Sequence, residues 1–431
     1  MTRAPPTGQG NYAGYVVLLL CLVNIANYGQ RMVVSILLPA IKADVALSDG
    51  QLGLLLGGGF AILYALAGVP LARMAERHGR VYWLAGAILV WSLATGLFGL
   101  ARSFIQMLGA RTVLGAAQSI CIPTSHSLLG DYVSSERRPF ALGAHSAGGV
   151  LGATLAMVLG GVVGVRWGWR PTLWVFAAAG GMLAAVTLLT LREPVPGVTH
   201  AAAPGRVPLR EVVRRLVSLR SYLLVLIAVC FAMLVEYGLN QWLPSYYVRQ
   251  FGLPVEEVGL RYGLAIAVGG IPGSVLGGMV AGALARRDAR WLVWFPACMY
   301  LAAIPTGLCM LLAPNPAVAF VLNAGYALAV YSTNGALWGA CFVHVPGELR
   351  ATTSALTLLV AGIAGLAAGP VLVGGLSDAL GARFGPQSLQ ASLVGVECLA
   401  TLVVVTLLCA APFLHRERAG TAARALLADP S

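Results

Sequence analysis

The stretch YAGYVVLLLCLVNIANYGQRMVVSILLPA occupies residues 12–40 and contains a single charged side chain, Arg31. About 20 consecutive apolar residues in an α-helix cross the roughly 30 Å hydrocarbon layer of a membrane. The rest of the chain is similar, because 58% of its 431 residues are hydrophobic and only 10% are charged. Ordinary soluble domains carry about 25% charged residues. The composition therefore excludes a soluble globular protein, a disordered chain and a fibrous repeat, and predicts an all-α polytopic membrane protein.

Apolar runs of similar length recur along the chain, each bounded by charged residues, proline or glycine. Twelve helices of about 21 residues would use about 250 residues, which agrees with the hydrophobic share of the chain. The predicted spans, numbered 1 to 12 in chain order, are 12–40, 51–72, 81–101, 105–130, 139–164, 171–191, 221–244, 257–284, 291–313, 317–344, 351–376 and 388–414.

The basic residues indicate how these spans are oriented. Only one of the 28 basic residues is lysine, and they lie mainly in short loops, so the net charge of +12 does not form the clustered surface that nucleic-acid binding needs. With a cytoplasmic N-terminus, the inner segments hold 19 basic residues and the outer segments hold seven. Cytoplasmic loops of membrane proteins are the more basic ones. The counts therefore predict that both termini lie in the cytoplasm and that nucleic acid is not a partner.

No motif for catalysis or for a cofactor is present. The eight cysteines lie within apolar runs and form no CxxC pair, so neither a zinc site nor a disulfide framework is predicted. The sequence contains no HExxH zinc motif, no G-x-S-x-G nucleophile motif and no ATP-binding motif. We therefore expect neither an intramembrane enzyme nor an ATP-driven pump, and no cofactor or metal.

The longest predicted cytoplasmic loop, 192–220, divides the chain into two halves of six spans each. Residues 1–191 form the predicted N-terminal bundle, and 221–431 form the C-terminal bundle with a short cytoplasmic tail. Apolar residues of the loop recur at helical spacing with arginines between them, at Leu209, Val212, Val213 and Leu216. This pattern favours an amphipathic helix on the inner membrane face. A solvated basic linker is the alternative.

The two halves repeat a short charged motif at corresponding places. ARMAERHGR at 72–80 follows span 2, and GALARRDAR at 282–290 follows span 8, with the acid moved by two positions. Parallel six-helix repeats imply a pseudo-two-fold axis along the membrane normal and a substrate path between the halves.

These features resemble the major facilitator superfamily. The segment ER-x-GR at 76–80 corresponds to the signature of its loop between helices 2 and 3, with Ala72 in place of the usual leading glycine. Further segments are similar to its bacterial spinster-like branch and to the neighbouring organic-anion symporters: NYGQR at 27–31, RxxxGxxQ at 111–118, ER at 136–137, WLP at 242–244, ELRAT at 348–352 and GPxxxGxLSD at 369–378. The resemblance implies two pseudo-symmetric six-helix bundles, transport by alternating access and a place in a bacterial inner membrane.

Four ionisable residues lie well inside predicted spans, at Arg31, Arg111, Glu236 and Glu397. A charge at the centre of a membrane costs at least about 2.5–3.5 kcal/mol, so such residues are functional candidates.

The two arginines are accompanied by amides. Gln30 adjoins Arg31, and Gln118 follows Arg111 by two helical turns. The resemblance implies acids at both glutamine positions, in Asp-Arg and Arg-x6-Glu pairs that couple transport to protons. Because an amide cannot take up or release a proton, we expect the arginines to bind the carboxylate, sulfonate or phosphate of an organic anion, with both glutamines hydrogen-bonding to it. The alternative is that the arginines pair with Glu236 or with backbone carbonyls and hold the halves together.

Other polar and aromatic residues of the spans are expected to line the same substrate site. Single polar residues in membrane helices more often bond to a neighbouring helix than to a ligand, which is the alternative for each of them. The predicted residues are Asn27, Tyr28, Asn240, Trp242, Tyr331 and Asn334.

Glu236 in span 7 is the candidate for a relocated proton-coupling site. It shares a helix face with Asn240, four residues further on. The alternative is a static salt bridge to Arg31 or Arg111. Glu397 in span 12 is expected to face the exterior of the bundle or to make a local hydrogen bond.

Charged residues at the inner helix ends are expected to act as a gate. Ion pairs that form in one state and break in the other bias alternating access. The alternative is that these charges only set the orientation of the spans. The predicted gating residues are Glu76, Arg77, Arg80, Asp131, Glu136 and Arg137.

The sequence thus favours a secondary active or facilitative transporter of a small or amphipathic organic anion, working by symport or uniport. An exporter of lysolipids, other amphiphiles or drugs on the same fold is an alternative. A non-transporting receptor or scaffold on a transporter fold is an alternative of another class. The expected partners are the anionic substrate, protons and the lipid bilayer, and the expected oligomeric state is a monomer.

Overall fold

The apolar runs of the sequence fold into helices, as their composition predicts. The structure, a computed structural model, describes residues 9–134, 137–193, 209–343, 345 and 350–428. All regular secondary structure within these residues is helical. Ten helical stretches of this part of the chain are long and apolar enough to cross a membrane.

Spans 4, 11 and 12 explain why ten stretches correspond to twelve predicted spans. Span 4 is divided at residues 119–120 into helices of 15 and 12 residues, each too short to cross a membrane alone. The stretch Thr353–Leu414 is one of the ten but contains both span 11 and span 12. The chain turns between them at the 3-10 helix Gly385–Gln387, and the helices on either side pack against each other. All twelve predicted spans are therefore helical.

The described residues form two compact units, and the first holds those up to 193 together with Leu253–Gly263. Its helices are α1 (Gln9–Val45), α2 (Asp49–Gly53), α3 (Gly59–His78), α4 (Arg80–Leu100), α5 (Phe104–Gln118), α6 (Cys121–Tyr132), α7 (Arg138–Trp167) and α8 (Trp169–Thr190). Its largest contacts join α1 to α7 and α4 to α8. Gly152 of α7 lets α1 approach closely, because a Cβ atom there would lie 2.3 Å from the carbonyl oxygen of Ile25.

The second unit holds the described residues from 209 to 252 and those from Leu264 onwards. Within it, α10 packs on α16 and α18, and α12 packs on α13 and α18. The helices from the linker onwards are α9 (Leu209–Ser218), α10 (Arg220–Phe251), α11 (Val255–Arg287), α12 (Trp291–Leu311), α13 (Pro316–Ser332), α14 (Asn334–Phe342), α15 (Arg350–Gly362), α16 (Ala368–Phe384), α17 (Ser388–Cys398) and α18 (Ala400–Ala428).

Each unit contains a five-residue π-helix within the described residues. Leu54–Gly58 joins α2 to α3, and Ile363–Ala367 joins α15 to α16. In the first of these, the N–H group of Gly59 donates to the carbonyl oxygen of Leu54, five residues earlier. A π-helix holds one extra residue in a turn and is frequent at functional positions.

The predicted linker contains a helix whose apolar side is covered by protein. Val212 and Leu216 of α9 are buried against Tyr222 and Val345 of the second unit. On the exposed side, Arg214 and Arg215 donate hydrogen bonds to Glu211, and these bonds lower the pKa of the Glu211 carboxyl below its ordinary value. Residues 194–208 of the predicted linker lie outside the described residues.

Candidate functional site

Arg31 lies near the middle of α1, and the polar side chains of the first unit gather around it. The residue is only 2% exposed. Its Nε donates to Gln118 Oε1 at 3.4 Å, and its Nη2 donates to Asn27 Oδ1, also at 3.4 Å. Hydrogen bonds from a charged donor are about 2.7–2.9 Å long when they are strong. Both bonds are therefore longer than strong hydrogen bonds from a charged donor.

Three aromatic rings surround the same guanidinium. The Arg31 Cζ atom lies 4.6 Å from the ring centroid of Phe60, 4.9 Å from that of Tyr28 and 5.0 Å from that of Tyr64. Phe60 is fully buried, whereas the two tyrosines are partly exposed, so the tyrosines form the side that reaches the molecular surface. These residues make up the arginine cluster, which consists of Asn27, Tyr28, Arg31, Phe60, Tyr64 and Gln118.

The amide of Gln118 bonds to the backbone of α1 as well as to the guanidinium. Gln118 Nε2 donates to the backbone oxygen of Asn27 at 2.9 Å, which fixes the orientation of the glutamine amide. Asn27 Nδ2 is buried and has no acceptor within the described part of the chain. An unsatisfied buried donor costs about 1–3 kcal/mol, so this N–H group is available to an acceptor other than the described residues.

Arg111 lies on α5 and is held by backbone carbonyl groups. It is 1% exposed, and its Nε donates to the oxygen of Leu55 at 2.8 Å. Its two terminal nitrogens donate to the oxygens of Leu56 and Arg31, each at 3.5 Å. Leu55 and Leu56 belong to the π-helix, whose widened turn makes carbonyl groups available to outside donors. The structure therefore corresponds, for Arg111, to the alternative in which backbone carbonyls hold the arginine, here within the first unit.

Gln30 points away from Arg31, towards α4 and α8. Its Oε1 accepts from Thr95 Oγ1 at 2.7 Å, and its Nε2 donates to the backbone oxygen of Phe176 at 2.9 Å and to Ser92 Oγ at 3.4 Å. Gly180 makes room for this amide, because a Cβ atom there would lie 2.3 Å from the Gln30 Nε2. The amide is thus fully occupied between helices of the first unit, and the structure does not bring it to the arginine cluster.

Glu236 lies on α10 in the second unit and is partly exposed. Within the described residues it makes no hydrogen bond or ion pair. Tyr300 of α12 and Tyr326 of α13 lie within electrostatic range of its carboxyl group. The acid predicted for proton coupling is therefore accessible from one side and faces tyrosines on the other.

The remaining predicted binding residues of the second unit divide into two groups. Asn240 Nδ2 donates to the Tyr331 hydroxyl at 3.4 Å, and both residues are partly exposed, as is Asn334. Trp242 is fully buried, and its Nε1 donates to the backbone oxygen of Pro370 at 3.0 Å. The structure thus brings Asn240 and Tyr331 together and places Trp242 between α10 and α16, as a packing residue.

The predicted gate is built around Arg80 at the start of α4. Arg80 Nη1 lies 2.6 Å from Asp131 Oδ2 and donates to Ser127 Oγ at 2.8 Å. Its Nε donates to Glu193 Oε1 at 3.0 Å, while Glu193 Oε2 accepts from the backbone N–H of Val81 at 2.8 Å. Arg80 and Asp131 are therefore joined by an acid that the sequence analysis did not single out, and this acid also caps the first turn of α4.

Of the other predicted gating residues, the structure describes the side chains of two. Arg77 and Arg137 are exposed. Glu136 lies outside the described residues, and so does the side chain of Glu76.

Sequence reasoning missed Phe60, Tyr64 and Glu193. The signal for Glu193 was present, since it is an acid directly after span 6 in a loop that is mainly basic. Phe60 and Tyr64 were hidden, because aromatic residues four apart in an apolar helix look like ordinary packing residues.

The chain matches the family model described as Major Facilitator Superfamily over residues 20–370. It is 30% identical over 379 residues to an MFS-type efflux pump of Mycolicibacterium smegmatis, with 87% of each chain covered. It is 26% identical over 404 residues to the hexuronate transporter of Bacillus subtilis, covering 90% of this chain and 93% of that one. The crystal structure of a bacterial homolog to the human lysosomal transporter spinster, in an inward-facing and unoccupied conformation, matches with a TM-score of 0.86 and 27% identity. The match covers 96% of this chain and 99% of that one.

Proposed function

The chain belongs to the Major Facilitator Superfamily, and on that premise we propose that it carries a small or amphipathic organic anion across a membrane by alternating access. Membership of this family makes it a multi-pass membrane transporter and not an enzyme. The predicted all-helical fold and the predicted likeness to the spinster branch are both confirmed by these comparisons. The substrate class, the coupling and the site residues are the proposal.

The observation that carries the proposal is the arginine cluster. The buried guanidinium of Arg31 makes long hydrogen bonds to two amide oxygens. A carboxylate would accept two shorter and stronger hydrogen bonds from the same group in a bidentate arrangement. The unsatisfied Nδ2 of Asn27 adds a neutral donor beside it. The partly exposed rings of Tyr28 and Tyr64 would contact the apolar part of the substrate. In this proposal Arg31 is the counter-charge, and Asn27 and Gln118 are hydrogen-bond partners.

Arg111 and Gln30 have supporting roles in this proposal. The donors of Arg111 hold the π-helix, and the amide of Gln30 holds α1 to α4 and α8. Neither side chain is needed as a ligand, and both fix the position of the helix that carries Arg31.

Asn240 and Tyr331 are the proposed substrate contacts of the second unit, and Glu236 is the proposed proton-coupling acid. An acid without a hydrogen-bond partner in the described residues can change its protonation without breaking a structural bond. The proposal therefore favours symport or antiport with protons over uniport. Arg80, Asp131 and Glu193 would form the cytoplasmic gate, since all three lie at the inner ends predicted for their helices.

The names of the relatives support an anion, and they also support an alternative. Hexuronate is a carboxylate, which agrees with recognition by Arg31. The name efflux pump favours export of an amphiphile or drug, and the tyrosines of the arginine cluster would suit such a molecule equally well.

We further propose a bacterial inner membrane as the location, with both termini in the cytoplasm and the monomer as the working unit.

Uptake into proteoliposomes tests the proposal. Labelled hexuronate, an aromatic carboxylate and a lysophospholipid are offered with and without an imposed pH gradient, to wild type, Arg31→Lys and Arg31→Gln. We expect Arg31→Gln to lose anion transport and Arg31→Lys to lose about tenfold or more, because the bidentate fork is absent.

The matched control is Arg166→Gln, because Arg166 is an exposed arginine in the last turn of α7, in the same unit as Arg31. It should transport at the wild-type rate. Equal anion binding by wild type and Arg31→Gln would remove the counter-charge from the proposal. Transport of the lysophospholipid alone would select the amphiphile exporter instead.

A further inference from the structure

Glu397 lies inside the second unit, at a position that the proposed coupling mechanism does not use. The sequence left open an exterior face or a local hydrogen bond, and the structure shows an interior position. The residue is 0% exposed, and its Oε2 accepts a hydrogen bond from the Tyr326 hydroxyl at 3.0 Å. Its Oε1 is buried without a hydrogen-bond partner in the described residues. A carboxylate in a dry interior with a single hydrogen bond is costly, whereas a neutral carboxyl group is tolerated.

Space for this carboxyl group is provided by a glycine on the neighbouring helix. A Cβ atom at Gly307 of α12 would lie 2.7 Å from Glu397 Oε1 and 3.0 Å from a ring carbon of Tyr326. Real Cβ atoms essentially never come within 3.0 Å of another atom. The absence of a side chain at residue 307 therefore allows α12 and α17 to enclose the acid and its tyrosine together.

The same two tyrosines interact with Glu397 and with Glu236. Tyr300 and Tyr326 each lie within electrostatic range of Glu236 and of Glu397. Glu236 is partly exposed and Glu397 is not. The arrangement runs from an accessible acid, past two hydroxyl groups, to an enclosed acid.

Several α-helices pack on α17, the helix that carries Glu397. These are α10, α12, α16 and α18, with α13 supplying Tyr326. The titratable groups that interact with the carboxyl are Tyr326, through the hydrogen bond, and Tyr300, by electrostatics. No lysine, arginine or histidine of the described residues makes an ion pair with it. A fixed salt bridge is therefore not the reason for this acid.

We infer that Glu397 is a second proton-binding site of the transporter, which exchanges a proton with Glu236 by way of Tyr326 and Tyr300. The inference rests on the proposed coupling role of Glu236. In the step, the O–H bond of the Glu236 carboxyl breaks and an O–H bond forms at a Glu397 carboxyl oxygen. Tyr326 gives its proton to Glu397 Oε2 and accepts the hydroxyl proton of Tyr300, which in turn accepts the proton released by Glu236. Each tyrosine therefore ends with one O–H bond, and nothing is oxidised or reduced.

Infrared difference spectroscopy on the full-length protein in lipid tests where the proton resides. A protonated carboxyl group has a carbonyl band that the carboxylate lacks, and substitution by glutamine removes it. We expect wild type at neutral pH to show such a band, Glu397→Gln to lose it, and Tyr326→Phe to shift its frequency. A spectrum of Glu397→Gln identical to that of wild type would overturn the inference.

Transport assays then separate a coupling role from a structural one. Glu397→Gln keeps the shape of the side chain, so it should retain exchange of labelled for unlabelled anion while losing accumulation driven by a pH gradient. Gly307→Ala should have the same effect by displacing the carboxyl, and Gly395→Ala on α17, which meets no atom within 4 Å, is the matched control. Gradient-driven accumulation at the wild-type rate in Glu397→Gln would contradict the relay. If Glu236→Gln also left accumulation intact, the proposed function of Glu236 would fail separately.

Discussion

Backbone carbonyl groups surround the guanidinium of Arg111, and one aromatic ring, that of Phe60, lies close to both Arg111 and Arg31. The ring centroid of Phe60 lies 5.7 Å from the Cζ atom of Arg111 and 4.6 Å from that of Arg31. The face of an aromatic ring carries partial negative charge and attracts a guanidinium. Two like charges are thereby kept on one ring, with carbonyl dipoles completing the solvation of Arg111.

Replacing Arg111 by lysine should destabilise the protein rather than abolish recognition of the anion. Lysine keeps the charge, but its single nitrogen cannot reach the separate oxygens of Leu55, Leu56 and Arg31. The loss of hydrogen bonds to a charged donor predicts a decrease of about 1.5–3 kcal/mol in the free energy of unfolding. Thermal unfolding of the detergent-solubilised protein measures this decrease as a lower Tm.

Arg166→Lys is the control, since the side chain is exposed at the end of α7. Its Tm should equal that of wild type. If Arg111→Lys unfolds at the wild-type temperature and loses only substrate affinity, Arg111 is a ligand residue and its structural assignment is wrong.

Several of these contacts could be predicted from the sequence and others could not. The neighbours of Arg31 on its own helix face were found because residue 27 lies one helical turn earlier. Gln30 was assigned to the same site as Arg31 because the two are adjacent in sequence. Successive helical residues diverge by about 100° around the axis, however, so Gln30 faces different helices. Phe60 and Tyr64 depend on how span 2 is rotated against span 1, which hydropathy does not specify.

Close contact between α3 and α5 positions Phe60, the buried ring of the arginine cluster. Gly115 of α5 lies against the backbone of Phe60, and a Cβ atom there would be 2.1 Å from the Phe60 carbonyl oxygen. We expect Gly115→Ala to separate the two helices, with a loss of stability above the roughly 1–3 kcal/mol of ordinary overpacking, because backbone rather than a side chain must move. The yield of folded protein in size-exclusion chromatography and its Tm measure this loss.

Gly109→Ala on the same helix provides the comparison. No atom lies within 4 Å of the position of its Cβ, so alanine should be neutral or stabilising by up to about 1 kcal/mol. Similar Tm values for the two variants would show that α3 and α5 do not pack as described.

The helices themselves were predictable, whereas their irregularities were not. Long apolar runs specify a membrane helix by length alone. The π-helix in LLLGG at 54–58 adds one residue to a turn, and no residue type marks that addition. Likewise, the division of span 4 after Gln118 depends on local hydrogen bonds that hydropathy averages away.

The distribution of basic residues makes a prediction about the chain as it sits in a cell. Arg102 and Arg287 are both exposed, and the orientation argument puts them on opposite sides of the membrane. Single cysteines at these positions, in a protein freed of its eight native cysteines, are treated in intact cells with a membrane-impermeant maleimide. Arg102→Cys should react, and Arg287→Cys should react only after the membrane is opened. The reverse pattern would place both termini outside.

The division of the molecule into two units follows the six-and-six pattern of the spans in most respects. Its departure concerns Leu253–Gly263, which groups with the first unit although it leads into α11. Gly259 explains the contact, because it sits against the backbone oxygen of Met157 in α7. A glycine before a span gives no sign in the sequence of the distant helix that it touches.

Within the described residues, each unit contains a π-helix, in which one turn holds an extra residue. These are Leu54–Gly58 and Ile363–Ala367. One extra residue changes the direction of the side chains that follow it by about 100° around the helix axis, relative to an uninterrupted α-helix. Arg111 donates hydrogen bonds to the oxygens of Leu55 and Leu56, and these bonds hold the π-helix Leu54–Gly58 in its position. Phe60 and Tyr64 lie on α3 directly after this turn, so the arginine that fixes the turn also fixes the rotation at which both rings meet Arg31.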